Sequence, residues 1–187
     1  GPAADAGTLV TTDGVTTQTI NFTGLEPIAD SVTTASLTVN ATDGANALTL
    51  DNGAASGDSI LRAAVDSFET LDFANKTALT LNGGLTGGDA ADTLTANFTE
   101  AAAGLTSVTL NGGDGGDTLD ARATPAGVTL TLNGDGGDDM LNAGNDSDSL
   151  DGLLGAVSAN GGAGTDSFTV NDQGDATANT YDLAAGT

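Results

Sequence analysis

Apolar residues in this chain fall in short alternating runs, each closed by an asparagine: "SLTVN" (36–40), "ALTLN" (78–82), "SVTLN" (107–111), "LTLN" (130–133) and "VSAN" (157–160). Leu37 and Val39, Leu79 and Leu81, Val108 and Leu110, and Leu130 and Leu132 alternate with Ser, Ala or Thr, the period of two that marks a half-buried strand. After each asparagine comes a turn and then a second apolar stretch: "DTLTANF", "DTLDARA", "DDMLNAG" or "DSFTVND". The repeating unit is strand, acidic turn, strand. No segment carries a 3.6-residue apolar period of useful length; "FTEAAAGL" (98–105) comes nearest and reads as a loop or single turn. The pattern predicts an all-β chain.

Strands this short bury no face alone, so the units must stack. The expected architecture is a parallel β-helix or β-roll-like solenoid, with roughly eight coils rising about 4.8 Å each. Its closing asparagines are 42, 29, 22 and 27 positions apart, as in coils with loop insertions. The 42-residue gap is expected to hold two coils; it contains "ALTLDNG" (47–53) and "FETLDFANKT" (68–77). The latter echoes "LEPIADSVTT" (25–34), with Glu26 and Glu69 in matching places. The alternative is a β-sandwich, for which Asn-Gly pairs at 52–53, 82–83, 111–112, 133–134 and 160–161 would supply hairpin turns. Their recurrence at one phase of the repeat favours solenoid corners. Gly1-Pro2 looks like a protease-cleavage scar. The remainder reads as one continuous domain, 3–187, with degenerate coils over 3–84 and acidic-turn coils over 85–187.

Charge sharpens this picture. The 187 residues include 26 acidic ones against three basic ones, a net charge of -23, so a counter-ion must come from outside the chain. Arg62, Lys76 and Arg122 are too few to bind nucleic acid or an anionic membrane surface, and no stretch approaches the ~20 apolar residues of a membrane span. With no Cys and no His, thiolate and imidazole chemistry is excluded and only oxygen ligands remain. An enzyme cleaving acidic polysaccharides would want carboxylates beside Arg or Lys, so no catalytic residue is assigned. A carbohydrate- or cell-binding module is the alternative to a structural one. The loop 51–66 suggests it, and an aromatic content of 3% argues against sugar stacking.

The acidic turns carry the chemistry. Glycines permit positive φ and bare carbonyls, and hard carboxylate and carbonyl oxygens suit calcium, which takes six to eight of them in flexible geometry. Stacking places Asp89, Asp114 and Asp135 in one column and Asp92, Asp117, Asp138 and Asp166 in another. Unit charges about 4.8 Å apart repel by about 0.9 kcal/mol in water and about 3.5 kcal/mol at an effective dielectric of 20, so such columns call for a cation. Asn40, Asn82, Asn111, Asn133 and Asn160 read instead as a hydrogen-bonded ladder. A phosphate loop is excluded, since Lys, following helix and favourable field are all missing.

"GGDGGDTLD" (112–120) and "GGAGTDSFT" (161–169) fit the nonapeptide G-G-x-G-x-D-x-U-x in full, and "NGDGGDDML" (133–141) misses only the first Gly. In these residues the chain resembles the RTX family of secreted bacterial calcium-binding repeats. The resemblance implies calcium between successive turns, held by Asp117, Asp138 and Asp166, by Asp92 of the degenerate copy "GGDAADTLT" (87–95), and by turn carbonyls. The turn glycines concerned are Gly113, Gly115, Gly134, Gly136, Gly162 and Gly164. The family's nonapeptides run in tandem on both edges of a roll; these are isolated, so the sites would line one edge. "AGNDSDSLD" (143–151) loses two glycines, and "ATDGANALT" (41–49) has Asn46 where the Asp belongs. The whole also looks like the long, repetitive, calcium-dependent exoproteins and adhesins of aquatic bacteria. That likeness implies a secreted or cell-surface protein whose partners are calcium ions, adjacent copies or modules, and cell-surface glycans or neighbouring cells.

Overall fold

A computed structural model describes residues 6–12, 17–23, 28–63, 70–85 and 87–175. These residues form strands and no helix. One sheet holds β1 (Ala6–Thr12), β2 (Thr17–Thr23), β4 (Thr34–Asn40), β8 (Lys76–Asn82), β10 (Ser107–Asp114), β12 (Thr129–Gly136) and β14 (Val157–Asn160). The other holds β3 (Ile28–Asp30), β5 (Ala47–Asn52), β6 (Ser59–Ala63), β7 (Leu71–Phe73), β9 (Thr93–Asn97), β11 (Thr118–Ala123), β13 (Met140–Ala143) and β15 (Ser167–Val170). The sheets are mostly parallel and do not close on one another. As expected, 98–105 is loop and turn.

From β8 onward the chain alternates between the sheets, and each strand pairs in parallel with its counterpart in the next unit. Leu79, Val108, Leu130 and Val157 share one row, and Leu94, Leu119, Leu141 and Phe168 another. The strands β4 and β5 join the same rows through Leu37 and Leu48. The two inward rows meet in one cluster, in which Leu48, Leu81, Leu94, Leu110, Leu119 and Leu132 are fully buried. Each such leucine contributes roughly 2 kcal/mol, so the alternation in the sequence is also the main source of cohesion.

Two expectations need correction. Among the described residues the repeating strand pairs are β4–β5, β8–β9, β10–β11, β12–β13 and β14–β15, five units where the whole chain was expected to hold roughly eight coils. The 42-residue gap holds one circuit, because β4 lies directly beside β8. The surplus chain is a hairpin excursion, in which β6 pairs antiparallel with both β5 and β7. Its turn starts at Asn52-Gly53, where the Gly53 N–H donates to the Asp58 carbonyl at 3.0 Å. Of the other four Asn-Gly pairs, 82–83 and 160–161 end parallel strands, while 111–112 and 133–134 lie within the parallel strands β10 and β12. Antiparallel pairing of the sandwich kind is thus local; β1 also pairs this way, with β2 and β4. The echo between 25–34 and 68–77 is a true register, since Ile28 stands opposite Leu71. Glu26 and Glu69 lie outside the described residues.

The asparagine ladder forms as expected. Nδ2 of Asn82 donates to Oδ1 of Asn40 at 2.7 Å, Asn111 to Asn82 at 2.7 Å and Asn133 to Asn111 at 2.8 Å. Asn160 continues the register.

A corner on the opposite side of the circuit carries its own cation. Lys76 is fully buried, and its ammonium donates to Asp30 Oδ1 at 3.0 Å, to the Ala74 carbonyl at 3.1 Å, to the Asp30 carbonyl at 3.4 Å and to the Val32 carbonyl. Removing it would leave a buried carboxylate without a counter-charge, which costs about 3–5 kcal/mol. Lys76→Met should therefore lower the melting midpoint by about 10 °C. Arg62→Gln removes a solvent-exposed guanidinium that pairs with Asp51 at 3.7 Å and should shift it by about 2 °C or less. Equal shifts in the two variants would refute the buried-cation account.

Candidate cation-binding corners

The turns between the Asn-Gly pairs and the second strands stack into one column. Its members are Asn46, Asp92, Asp117, Asp139 and Asp166, each immediately before a strand of the second sheet. The N–H of each donates to Oδ1 of the next: Asn46 to Asp92 at 2.7 Å, Asp92 to Asp117 at 2.8 Å, Asp117 to Asp139 at 2.8 Å and Asp139 to Asp166 at 3.1 Å. One oxygen of every carboxylate is thereby tied to the circuit before it.

The other oxygen is left over. Oδ2 of Asp92, Asp117 and Asp139 is buried with no hydrogen-bond partner, and these residues are 2%, 0% and 1% exposed. Each lodges against the first glycine of its own turn, Gly83, Gly112 or Gly134, where a Cβ would overlap it. The carbonyl of the corresponding glycine in the next circuit approaches the same point: Gly112 O lies 2.5 Å from the Cβ position of Gly83, and Gly134 O lies 2.7 Å from that of Gly112. Only glycine leaves room for this meeting of oxygens. Gly113, with φ 112°, turns the backbone in a way a side chain would resist. Gly115, Gly162 and Gly164 share its positive φ, while Gly136 stands opposite Asp114.

An unpartnered buried carboxylate is costly in its charged form. Burial pushes the Asp117 carboxyl up to about 6, against the pull of the Asp92 N–H and helped by the charges of Asp139, Asp92 and Asp89. Burial likewise raises Asp92 and Asp139.

The head of the column shows what such a corner requires. Asn46 holds the position of an Asp, and its Nδ2 donates to the Thr42 carbonyl at 2.8 Å, to Gly83 O at 3.2 Å, to Asp92 Oδ1 at 3.1 Å and to Gly44 O. An amide N–H₂ thus sits among four oxygens at the register where every later circuit offers a carboxylate oxygen instead. With the donor replaced by an anion, the surrounding carbonyls face a group they repel.

The structure revises the expected columns. Asp138 is out of line by one position: Thr118 pairs with Met140 and Leu119 with Leu141, which puts Asp139 in register with Asp117. Leu141 faces the core and Met140 the solvent, so the apolar position of that nonapeptide is Leu141. Asp138 is exposed and accepts the Thr165 N–H at 2.8 Å. Asp89, Asp114 and Asp135 do not stack either, because Asp135 faces Gly113 and Asp114 faces Gly136. The common offset of 22 from Asn111 to Asn133 and from Leu119 to Leu141 was the signal for Asp139 in the sequence. Among the described residues no three acidic side chains converge as a metal-holding group. Each corner brings together one or two carboxylates and the carbonyl oxygens of neighbouring glycines.

No family model matches the chain, and neither a curated protein nor a solved structure matches it.

Proposed function

We propose that this chain is a calcium-binding structural module of a long extracellular repeat protein, an adhesin or surface exoprotein, in which the ion rigidifies a stacked β-solenoid. The observation that carries this reading is the run of unpartnered Oδ2 atoms on Asp92, Asp117 and Asp139, beneath an Asn46 amide that satisfies the equivalent place. Asp92, Asp117, Asp139 and Asp166 would each supply a carboxylate, and Gly112, Gly134 and Gly161 carbonyl oxygens. Calcium accepts such a mixture, whereas magnesium demands a stricter octahedron and gives up its water reluctantly. The ion would supply fixed positive charge between circuits and nothing more. The RTX-like nonapeptides support the same chemistry at the same turns.

Adjacent modules are the second class of partner. Val157, Phe168 and Val170 occupy core rows of the last described circuit, yet Phe168 is 49% and Val170 39% exposed. That face suits the stacking of a neighbouring copy or module. A secreted or surface location would expose the corners to calcium, which extracellular modules bind at about 10⁻⁴–10⁻³ M.

Calorimetric titration of chelator-treated protein with calcium tests the reading. More than one ion should bind per chain, and magnesium at the same concentration should bind at least tenfold more weakly. Absence of heat and of any calcium retained on dialysis at millimolar concentration would refute it.

A further inference from the structure

The first acidic corner differs from those that follow. Nine positions separate Gly83 from Asp92, whereas five separate Gly112 from Asp117, Gly134 from Asp139 and Gly161 from Asp166. The four extra residues bring in Asp89. The loop that carries it is tied to the preceding circuit by the Leu85 N–H to Asp43 Oδ1 at 3.1 Å and the Ala90 N–H to the Asp43 carbonyl at 3.2 Å. It is tied to the following circuit by the Gly88 N–H to Asp114 Oδ2 at 3.2 Å.

Held on both sides, Asp89 turns inward and is 8% exposed. Oδ1 accepts the Ala90 N–H at 2.9 Å, and Oδ2 is buried without a partner. That oxygen presses against Gly84 and lies 2.6 Å from the Cβ position of Gly113 in the next circuit. Asp92 Oδ2, also unpartnered, presses against Gly83, beside Gly112 O. Consecutive glycines of one circuit and consecutive glycines of the next therefore enclose two orphaned carboxylate oxygens. The corners of Asp117 and Asp139 offer one each. The charges of Asp43 and Asp114 act on Asp89, and the charge of Asp89 acts on Asp92.

We infer that Asp89 and Asp92, with the Gly112 carbonyl, form a two-carboxylate calcium site distinct from the single-carboxylate corners, and that this site takes its ion first. The inference rests on the calcium reading above and adds to it an order of filling. A second carboxylate raises both the charge and the number of hard oxygens offered to the ion, the two features by which calcium sites are graded in affinity. The first ion would fasten the circuit of β8–β9 to that of β10–β11 and present a formed corner on which the later ones close.

Calcium titrations of the wild type, Asp89→Asn and Asp166→Asn in chelator-treated buffer decide the point. The wild type should show a tight class and a weaker one. Asp89→Asn should weaken the tight class at least tenfold and leave the weaker class intact; Asp166→Asn should alter only the weaker class. In excess chelator Asp89→Asn should melt above the wild type, because it removes an unpaired buried charge. An unchanged tight class in Asp89→Asn would overturn the inference while leaving the calcium module standing. A lower melting midpoint in chelator would also overturn it, by showing Asp89 to be a structural brace. A wild type that binds no calcium would remove both readings together.

Discussion

Calcium is expected to raise the melting midpoint of the protein by about 20 °C over its value in excess chelator at about pH 7.5. An ion at a hundred times its dissociation constant stabilises the native state by about 2.7 kcal/mol per site, and three corners together by roughly 8 kcal/mol. In a chain of this size each kcal/mol moves the midpoint by about 2–4 °C. The loss on chelation should be concentrated in the circuits from β8 onward, whose corners hold Asp92, Asp117 and Asp139. The corner of Asp30 and Lys76 has its ammonium built in, 3.0 Å from Asp30 Oδ1.

The same experiment has a pH signature. The folded Asp117 carboxyl titrates at about 6, above its ordinary value of 3.8. A group raised in this way contributes stability that is fully present below about pH 4 and is lost as pH rises through about 6, because the native state holds a proton that the unfolded chain releases. In chelator, then, the midpoint should fall between about pH 4 and pH 7. With calcium the difference should widen over the same interval, since the ion replaces the proton. Identical curves with and without calcium at every pH would refute the site, and a chelator curve that does not fall between about pH 4 and pH 7 would refute the proton linkage.

The second large effect is expected from copying the head of the column downward. Asp92→Asn, Asp117→Asn and Asp139→Asn in one chain should melt about 10 °C or more above the wild type in chelator, and should respond little to calcium. Each new amide would stand where Asn46 stands, with glycine and neighbouring carbonyls as acceptors, and the repulsion along the column would vanish. Circular dichroism melts of the two proteins, each with and without calcium, check this. If the variant melts lower than the wild type in chelator, the carboxylates are structural acceptors first and the cation requirement is misplaced.

Much of this protein was legible along the chain. The period of two in "ALTLN" or "SVTLN" determines which residues point inward, because successive side chains of a strand face opposite ways regardless of what the strand pairs with. The Asp-rich turns mark where the first strand of each unit gives way to the second, though β10 and β12 run past their Asn-Gly pairs, and the absence of Cys and His limits the chemistry to oxygen. What these signals lack is the partner of each strand. Two identical-looking Asn-Gly pairs, 52–53 and 82–83, start an antiparallel hairpin and a parallel corner respectively, and what distinguishes them is the strand each one's neighbour pairs with, not the pair itself. Register shows the same dependence. Asp138 and Asp139 are adjacent and equally acidic, and only the pairing of Leu141 with Leu119 against the core selects Asp139, since a one-residue slip would turn Leu141 outward. Asp89 reaches the next circuit through a loop whose length, not its motif, carries it there, and Lys76 meets Asp30 across 46 positions of chain. Local pattern determined the strands, the turns and the kind of ligand atom; burial of the inward rows decided which of those atoms were left facing one another without a counter-charge.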